Sequence, residues 1–296
     1  MKHQETAVNR RRAVADNLRI VTHARWMADD FKSADVLPIV QDLALGDLPD
    51  KPSTTAWWCP QNYAARLLAS GIDPFFQSQG HDFLSRSHMA LGQQCDIALR
   101  ETWAGRLDSL PDLPSGFCKP AEAKYELLPA MIYESVFAFV DAARVAGLTE
   151  DSLVQWSEPI SLVSEFRHFV AHGQVVASAL YMVTDPDGAQ RTWDTFEGSE
   201  GVLASGALSK PYAQSVVDAL GDDQPDGWVL DMGFDDDGGV HIIEANAAWS
   251  SNPYECDPTG VIESVLSSQG DPDSKFLWTP DVLLSQRAAK SRPLGR

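Results

Sequence analysis

Cysteine is scarce and scattered in this chain. Cys59, Cys95, Cys118 and Cys256 form no C-x-x-C pair. That spacing argues against structural zinc and a dense disulfide scaffold, and a reducing, cytoplasmic home is the expectation. Basic residues are also few: 23 Lys and Arg against 42 Asp and Glu leave a formal net charge of -19. A surface of that sign repels phosphate backbones and anionic lipid, so neither nucleic acid nor membrane is an expected partner. No apolar run is long and clean enough for a membrane span. The most apolar helical stretch, "AMIYESVFAFVDAARVAGL", carries Glu134, Asp141 and Arg144 and reads as a core element. "MKHQETAVNRRRAV" is followed by no apolar h-region, so no secretory signal is expected there. Missing too are an internal repeat and both glycine-rich phosphate loops, G-x-x-x-x-G-K-[ST] and G-x-G-x-x-G. Any nucleotide would have to be held by side chains on sheets.

What is present suits a globular chain. At 296 residues with 44% hydrophobic residues, the sequence can bury a sizeable core in two packed units. "TTAWWCP" reads as a short buried strand, "QNYAARLLASGID" as a helix stopped by Gly71, and "FFQSQGHDFLSRS" as a loop-rich connection. The Pro-rich "LDSLPDLPSG" marks a boundary, because each Pro biases its predecessor away from helix. Beyond it, "GFCKP" is a strand and "LPAMIYESVFAFVDAARVAG" a helix of about five turns with Gly147 near its C-cap. "LVQWSEPI", "SEFRHFVAHG" and "QVVASALYMV" are strands, the last two joined at "HG" as a hairpin. "SKPYAQSVVDALG" is a helix ended by Gly221, and "GWVLDMGFDDDGGVHIIEAN" a second hairpin. "DPTGVIESVLSS" is a closing helix with Asp257 as N-cap, and "RAAKSRPLGR" a loose tail. The fold class is therefore α+β. The expected organisation is a mixed N-terminal domain over 1–112, a main domain over 113–270 divided near 185, and a tail over 271–296.

Chemistry concentrates in five places. In "VHIIEAN", Glu244 and Asn246 share a strand face, since residues two apart project together. Asp231 ends the partner strand "GWVLD". If the register brings the three together, they offer hard oxygen ligands of an incomplete shell, which suits Mg2+; otherwise they are a solvated polar rim. "GFDDDGGVHIIE" nearly fits a calcium-binding EF-hand loop, with Asp235, Asp237, Gly238, Val240 and Glu244 at the required spacings. Gly233 stands where Asp belongs, however, and the flanks read as strands instead of helices. In "SEFRHFV", Arg167 stands on a face with Glu165 and Phe169; it is either a bidentate phosphate donor or the partner of a same-face carboxylate. His168 and His172 are fillers. Lys119, after the strand "GFCKP", can bring an ammonium to phosphate oxygens, and Lys124 is either a second such contact or a solvated charge. Glu158, before Pro159 in "QWSEP", would suit a hinge contact to adenine or ribose.

Taken in chain order, "FCKP", "WSEP", "EFRHFV", "LDMG" and "IIEANAA" resemble an ATP-grasp domain over about Gly116 to Leu266. They are most similar to its divergent arginine-and-two-lysine clade, whose members include a eukaryotic translation-initiation assembly factor and bacterial predicted ligases. The resemblance implies two α+β subdomains sandwiching ATP, preceded by a smaller mixed N-terminal domain. It implies that Lys119 and Arg167 contact the ATP phosphates, that Glu158 lies near the adenosine hinge, and that Asp231, Glu244 and Asn246 hold Mg2+. Arg86, in "FLSRS", would be the leading arginine and Lys124 the second lysine. The implied activity is an ATP- and Mg2+-dependent carboxylate–amine ligase, acting through an acyl phosphate on an amino acid, peptide or protein end. The rival activities are an ATP-binding assembly factor without ligation and a kinase on the same fold.

Overall fold

The computed structural model describes residues 15–22, 25–42, 54–92, 96–121, 127–196, 200–291 and 294. Three sheets organise them. The first is parallel: β1 (Asn17–Val21) lies between β2 (Ile39–Asp42) and β3 (Thr55–Trp58). Helix α1 (Arg25–Lys32) makes the crossover from β1 to β2, and α2 (Gln61–Ala69) follows β3. α2 ends as the sequence predicts, with Gly71 at φ 80°, a backbone region that costs glycine little.

The second sheet is antiparallel with order β5-β8-β6-β7, from Thr102–Arg106, Leu153–Ser157, Gly116–Pro120 and Met131–Tyr133. Helix α4 (Val136–Val145) covers one face, burying Val136, Phe139 and Ala143 against Cys118, Val154 and Trp156. The expected five-turn helix is thus shorter. Ser135 takes the N-cap, accepting a hydrogen bond from Ala138 N at 3.2 Å, and the apolar residues before it pair with β6 as an edge strand. A continuous apolar run hides that change of period.

The third sheet has the order β11-β10-β9-β12-β13-β4: Gln190–Thr192, Gln174–Thr184, Ser164–Ala171, Gly227–Phe234, Val240–Asn246 and Ile97–Ala98. The β9–β10 hairpin turns at His172 and Gly173, both at positive φ (50° and 73°), as a two-residue turn between right-twisted strands requires. Alternation sorts this sheet's side chains. Phe166, Val170, Trp228, Leu230 and Met232 face α3 (Phe83–Leu91) and α5 (Glu200–Leu220). Phe169, Ala177 and Val229 face α6 (Pro258–Ser267) and the parallel sheet. α6 lies close because two glycines permit it: a Cβ on Gly227 would stand 2.2 Å from Ser264 O, and one on Gly260 2.5 Å from Val176 O. Asp257 caps α6 as predicted, accepting from Gly260 N at 3.1 Å.

Several expectations are corrected. "FLSRS" is not loop but helix α3, held by packing of Phe83, Leu84 and Leu91. The boundary at 112 falls inside the second sheet, because β5 pairs along its length with β8. The division near 185 falls within the third sheet's β10–β11 hairpin; the two larger sheets are instead joined by residues 158–163. The C-terminal "RAAK" ends helix α7 (Val282–Lys290), whose Leu284 and Ala288, together with Leu294, pack among Tyr63, Leu67 and Trp278. Cys59, Cys118 and Cys256 are free and buried, and Cys95 lies outside the described residues. Among the described residues no helix is long and apolar enough to cross a membrane.

His168 is a core filler, as expected, and carries a testable consequence. It is 0% exposed, with Nδ1 2.8 Å from Ser178 Oγ. Burial, then the nearby charge of Lys210, push its pKa down to about 3. The unfolded chain therefore binds a proton that the folded chain refuses between roughly pH 6.5 and 3. The stabilisation is complete above that window and is lost as pH falls, at about 1.4 kcal/mol per pH unit. The slope of unfolding free energy against pH should flatten by about that amount in His168→Gln. Equal slopes for the two proteins, measured by urea titration between pH 4.5 and 6.5, would refute the assignment.

Candidate functional site

The face of the third sheet that α6 covers changes character along its strands. Under the helix it is apolar, at Phe169 and Val229. Past the helix the same alternation presents Arg167 and Glu165 on β9 and Asp231 on β12. Registry then assembles the group. Asp231 stands directly across from Arg167 on one side and from Glu244 on the other, with a bulge just after Asp231. A cleft of about 1560 Å³ opens here, with the second sheet as its opposite wall and the parallel sheet, α2 and α7 at one end.

Arg167 and Asp231 form a buried fork, at 6% and 1% exposure. Nε donates to Asp231 Oδ1 at 2.9 Å, Nη2 to Oδ2 at 2.7 Å, and Nη1 to the Asn252 carbonyl at 3.0 Å. Burial works against the guanidinium's charge, but the facing Asp231 more than offsets it, so its pKa is raised and Arg167 stays charged. Asn246 Nδ2 bridges the two acids, 3.0 Å from Asp231 Oδ2 and 2.8 Å from Glu244 Oε1. Lys119, on β6 of the opposite wall, reaches over to pair with Glu244 Oε2. The two larger sheets are thus tied across the cleft by an ammonium–carboxylate contact.

Glu165 also lines the cleft. It does not pair with Arg167; Tyr181 OH donates to its carboxylate. Its pKa is raised, first by burial and then by the charges of Asp231 and Glu244, with the Tyr181 hydrogen bond acting the other way. Tyr181 and Tyr254 stack at 4.8 Å, and the Arg167 guanidinium lies 4.8 Å from the Tyr254 ring centre.

The residues named from sequence divide. Lys119, Arg167, Asp231, Glu244 and Asn246 come together in one constellation. Glu158 sits on the connection between the two larger sheets, as a hinge residue should, yet its carboxylate is exposed and takes Glu101 N at 3.4 Å instead of lining the cleft. Arg86 is elsewhere. Its guanidinium binds Asp82, Asp223 and Gln79, and it does not itself line the cleft. Lys124 lies outside the described residues. The EF-hand reading fails, since β-strands flank the turn and Asp235 binds Asp237 N, Gly239 N and His241.

Sequence reasoning missed Arg100, the arginine that does line the cleft. It follows the two-residue strand β4 and donates to Ile243 O at 3.0 Å. Burial pulls its pKa down to about 10, against the charges of Glu158 and Glu244. Its buried Nε has no partner among the described residues. Tyr254 was also missed; only the Asn-Pro turn signal before it, at Asn252 and Pro253, hinted at a shaped loop.

The constellation fits a hard divalent cation. Glu244 and Asn246 line the cleft and offer it a carboxylate and a carboxamide, and a half-turn of the Asn246 amide would present Oδ1 where Nδ2 now meets both acids. Asp231 lies behind them with both oxygens on the Arg167 fork and would join a cation only by yielding one of them. No group of three His, Cys, Asp or Glu side chains among the described residues could hold a metal by itself. Mg2+ is the hard cation that keeps waters and takes phosphate oxygens to fill its shell, so it needs few protein donors.

Among solved structures, the chain is similar to the D-cycloserine synthetase DcsG, with a TM-score of 0.49 and 13% identity, covering 84% of this chain and 98% of that one. It is similar to the ATP-grasp ligase PsnB complexed with a minimal precursor (TM-score 0.43, 13% identity, 86% and 98% covered). A third likeness is to D-alanine–D-alanine ligase from Bacillus anthracis complexed with ATP (TM-score 0.41, 12% identity, 79% and 86% covered). These are weak likenesses of chain trace and bring no substrate with them. No curated protein matches the sequence. Residues 98–264 match the family described as "ATP-grasp domain, R2K clade family 2". That stretch is more than half of the chain and contains every member of the constellation, together with Arg100 and Tyr254. The α+β architecture expected from the sequence is borne out, and the chain belongs to the ATP-grasp domain family, R2K clade family 2.

Proposed function

We propose that the protein is an ATP- and Mg2+-dependent carboxylate–amine ligase that forms an amide-type bond through an acyl phosphate. One observation carries the reading: Lys119 on one sheet meets Glu244 on the other at the point where Asp231, Asn246 and Arg167 converge. An ammonium paired with a carboxylate across an open cleft is the pairing that a magnesium nucleotide would divide. Lys119 would pass to phosphate oxygens and Glu244 to the cation.

The charge of the cleft supports an anionic ligand. Arg100, Lys119, Arg167 and Arg287 line it against the carboxylates of Glu165 and Glu244, in a chain whose net charge is -19. Local reversal of sign focuses anions into a site. Arg100 takes the leading place that Arg86 does not. Glu165, crowded by Asp231 and Glu244, suits neutral hydroxyl donors such as a ribose diol. Among the described residues, no carboxylate joins Trp58, Gln61, Asn62, Trp278 and Arg287 at their end of the cleft, which suits an acidic substrate.

In the reaction, a carboxylate oxygen attacks the terminal phosphorus and ADP leaves. The amine nitrogen then attacks the acyl carbon, loses a proton, and inorganic phosphate departs. Glu244 and Asn246, with Asp231 behind them, would hold Mg2+, which when bound would supply positive charge to the phosphate groups. Arg167, its plane already set by Asp231 and the Asn252 carbonyl, would stabilise charge on the transferring group from a fixed orientation, and Lys119 would add its charge once parted from Glu244.

The test is ATP turnover over a panel of amino acids and peptides, with product masses. ADP release that requires both a carboxylate and an amine, with a product equal to their sum less water, is expected. A phosphoryl adduct would make the protein a kinase. Turnover indifferent to acceptors would make it a nucleotide-driven assembly factor. Either result overturns ligation.

A further inference from the structure

Arg167 has five N–H donors, and protein oxygens take three: Asp231 Oδ1, Asp231 Oδ2 and the Asn252 carbonyl. The rest of the guanidinium is held by aromatic rings. The Tyr254 ring centre is 4.8 Å away and the Tyr181 ring centre 5.5 Å, and those two rings stack with planes 8° apart. Tyr254 reaches this place at a backbone cost. Its φ is 49°, in a region that a bulky residue rarely adopts. A local turn imposes it: Asn252 Oδ1 accepts from Tyr254 N at 3.0 Å. The carbonyl of that same Asn252 caps Arg167 Nη1. One short segment therefore both hydrogen-bonds the guanidinium and lays a ring against it. The segment follows β13 after one 3-10 turn at Ala248–Ser250, so the guanidinium clamp and the Glu244–Asn246 oxygen pair are carried by neighbouring stretches of chain.

We propose that Tyr254 is a positioning residue for Arg167: the ring and the Asn252 turn fix the guanidinium plane so that its two remaining N–H groups face the terminal phosphate of the bound nucleotide. The inference rests on the nucleotide site proposed above. A planar fork recognises phosphate bidentately only in the right orientation, and an aromatic face restrains that plane through cation–π attraction. The backbone strain is the clue that the ring is needed there. Glycine would adopt φ 49° freely, yet the chain places tyrosine.

The experiment compares MgATP with MgADP binding by calorimetry, since only the triphosphate carries the group that Arg167 would meet. Wild type should favour MgATP. Tyr254→Leu should reduce that preference about three- to thirtyfold, the range expected for loss of a cation–π contact, with MgADP affinity changed less than twofold. Tyr254→Phe should retain the preference, because the ring remains. Adding Tyr254→Leu to Arg167→Met should cause no further loss, since the tyrosine acts through the arginine. Wild type that binds no MgATP would overturn the nucleotide site itself. Wild type that binds, with an undiminished preference in Tyr254→Leu or a full additional loss in the double variant, would overturn only the positioning role. A purely structural tyrosine would lower the melting temperature and leave the ATP-to-ADP ratio unmoved.

Discussion

Arg167→Met should destabilise the fold by about 3–5 kcal/mol and abolish discrimination for the triphosphate. The first effect follows from Asp231, which is 1% exposed and gives both carboxylate oxygens to the Arg167 fork. Removing one member of a buried pair leaves the other's charge uncompensated, which costs far more than the net worth of the pair. Asn246 Nδ2 would remain, but a neutral donor does not replace a bidentate cation. Arg167→Lys should fall between, since the charge stays and the fork is lost. The decisive variant is Arg167→Met with Asp231→Asn. With no orphaned charge, most of the lost stability should return in urea unfolding. Nucleotide discrimination should not, because the phosphate donor is still missing and Asp231→Asn takes a carboxylate from the proposed Mg2+ site. A double variant that regains both stability and MgATP binding would show the fork to be scaffolding alone.

That pair also marks the limit of what the sequence reveals. The shared face of Glu244 and Asn246 is legible, because alternation along one strand is local. So is the candidacy of Arg167, since a guanidinium in an apolar strand needs a partner. Its partner is not legible. Glu165 is nearer in sequence, yet Asp231 wins because the β9–β12 register sets it directly opposite, and register depends on hairpins and bulges far from either residue. The same reason hides the arrangement of sheets. Prolines between 110 and 114 do break the chain locally, but they do not say that β5, before them, pairs with β8, beyond them. The two arginines show the converse failure. Arg86 sits in a segment with functional-looking polarity and is absorbed by Gln79 and Asp82 before α3 and by Asp223 after α5. Arg100 has no local signal, and its value comes from lying where two sheets meet.

Glu244→Ala should weaken MgATP binding by on the order of a hundredfold while leaving the fold intact, because this carboxylate is one of the few oxygen donors the chain offers and Mg2+ demands a near-complete shell. The sign of the effect should depend on the metal. Without Mg2+, Glu244 is a negative charge facing phosphate, and its removal frees Lys119, now its ion-pair partner across the cleft, to bind phosphate oxygens. Metal-free ATP should therefore bind the variant at least as tightly as it binds wild type. With Mg2+ the order reverses, since the cation loses a ligand and with it the link between nucleotide and β13. Stability should change little, for Glu244 is half-buried and ion pairs of that exposure contribute about 1 kcal/mol or less. Titrations of both proteins in Mg2+ and in chelator separate the cases. An equal loss under both conditions would assign Glu244 to holding Lys119 in place, and no loss under either would return it to the solvated rim of a strand.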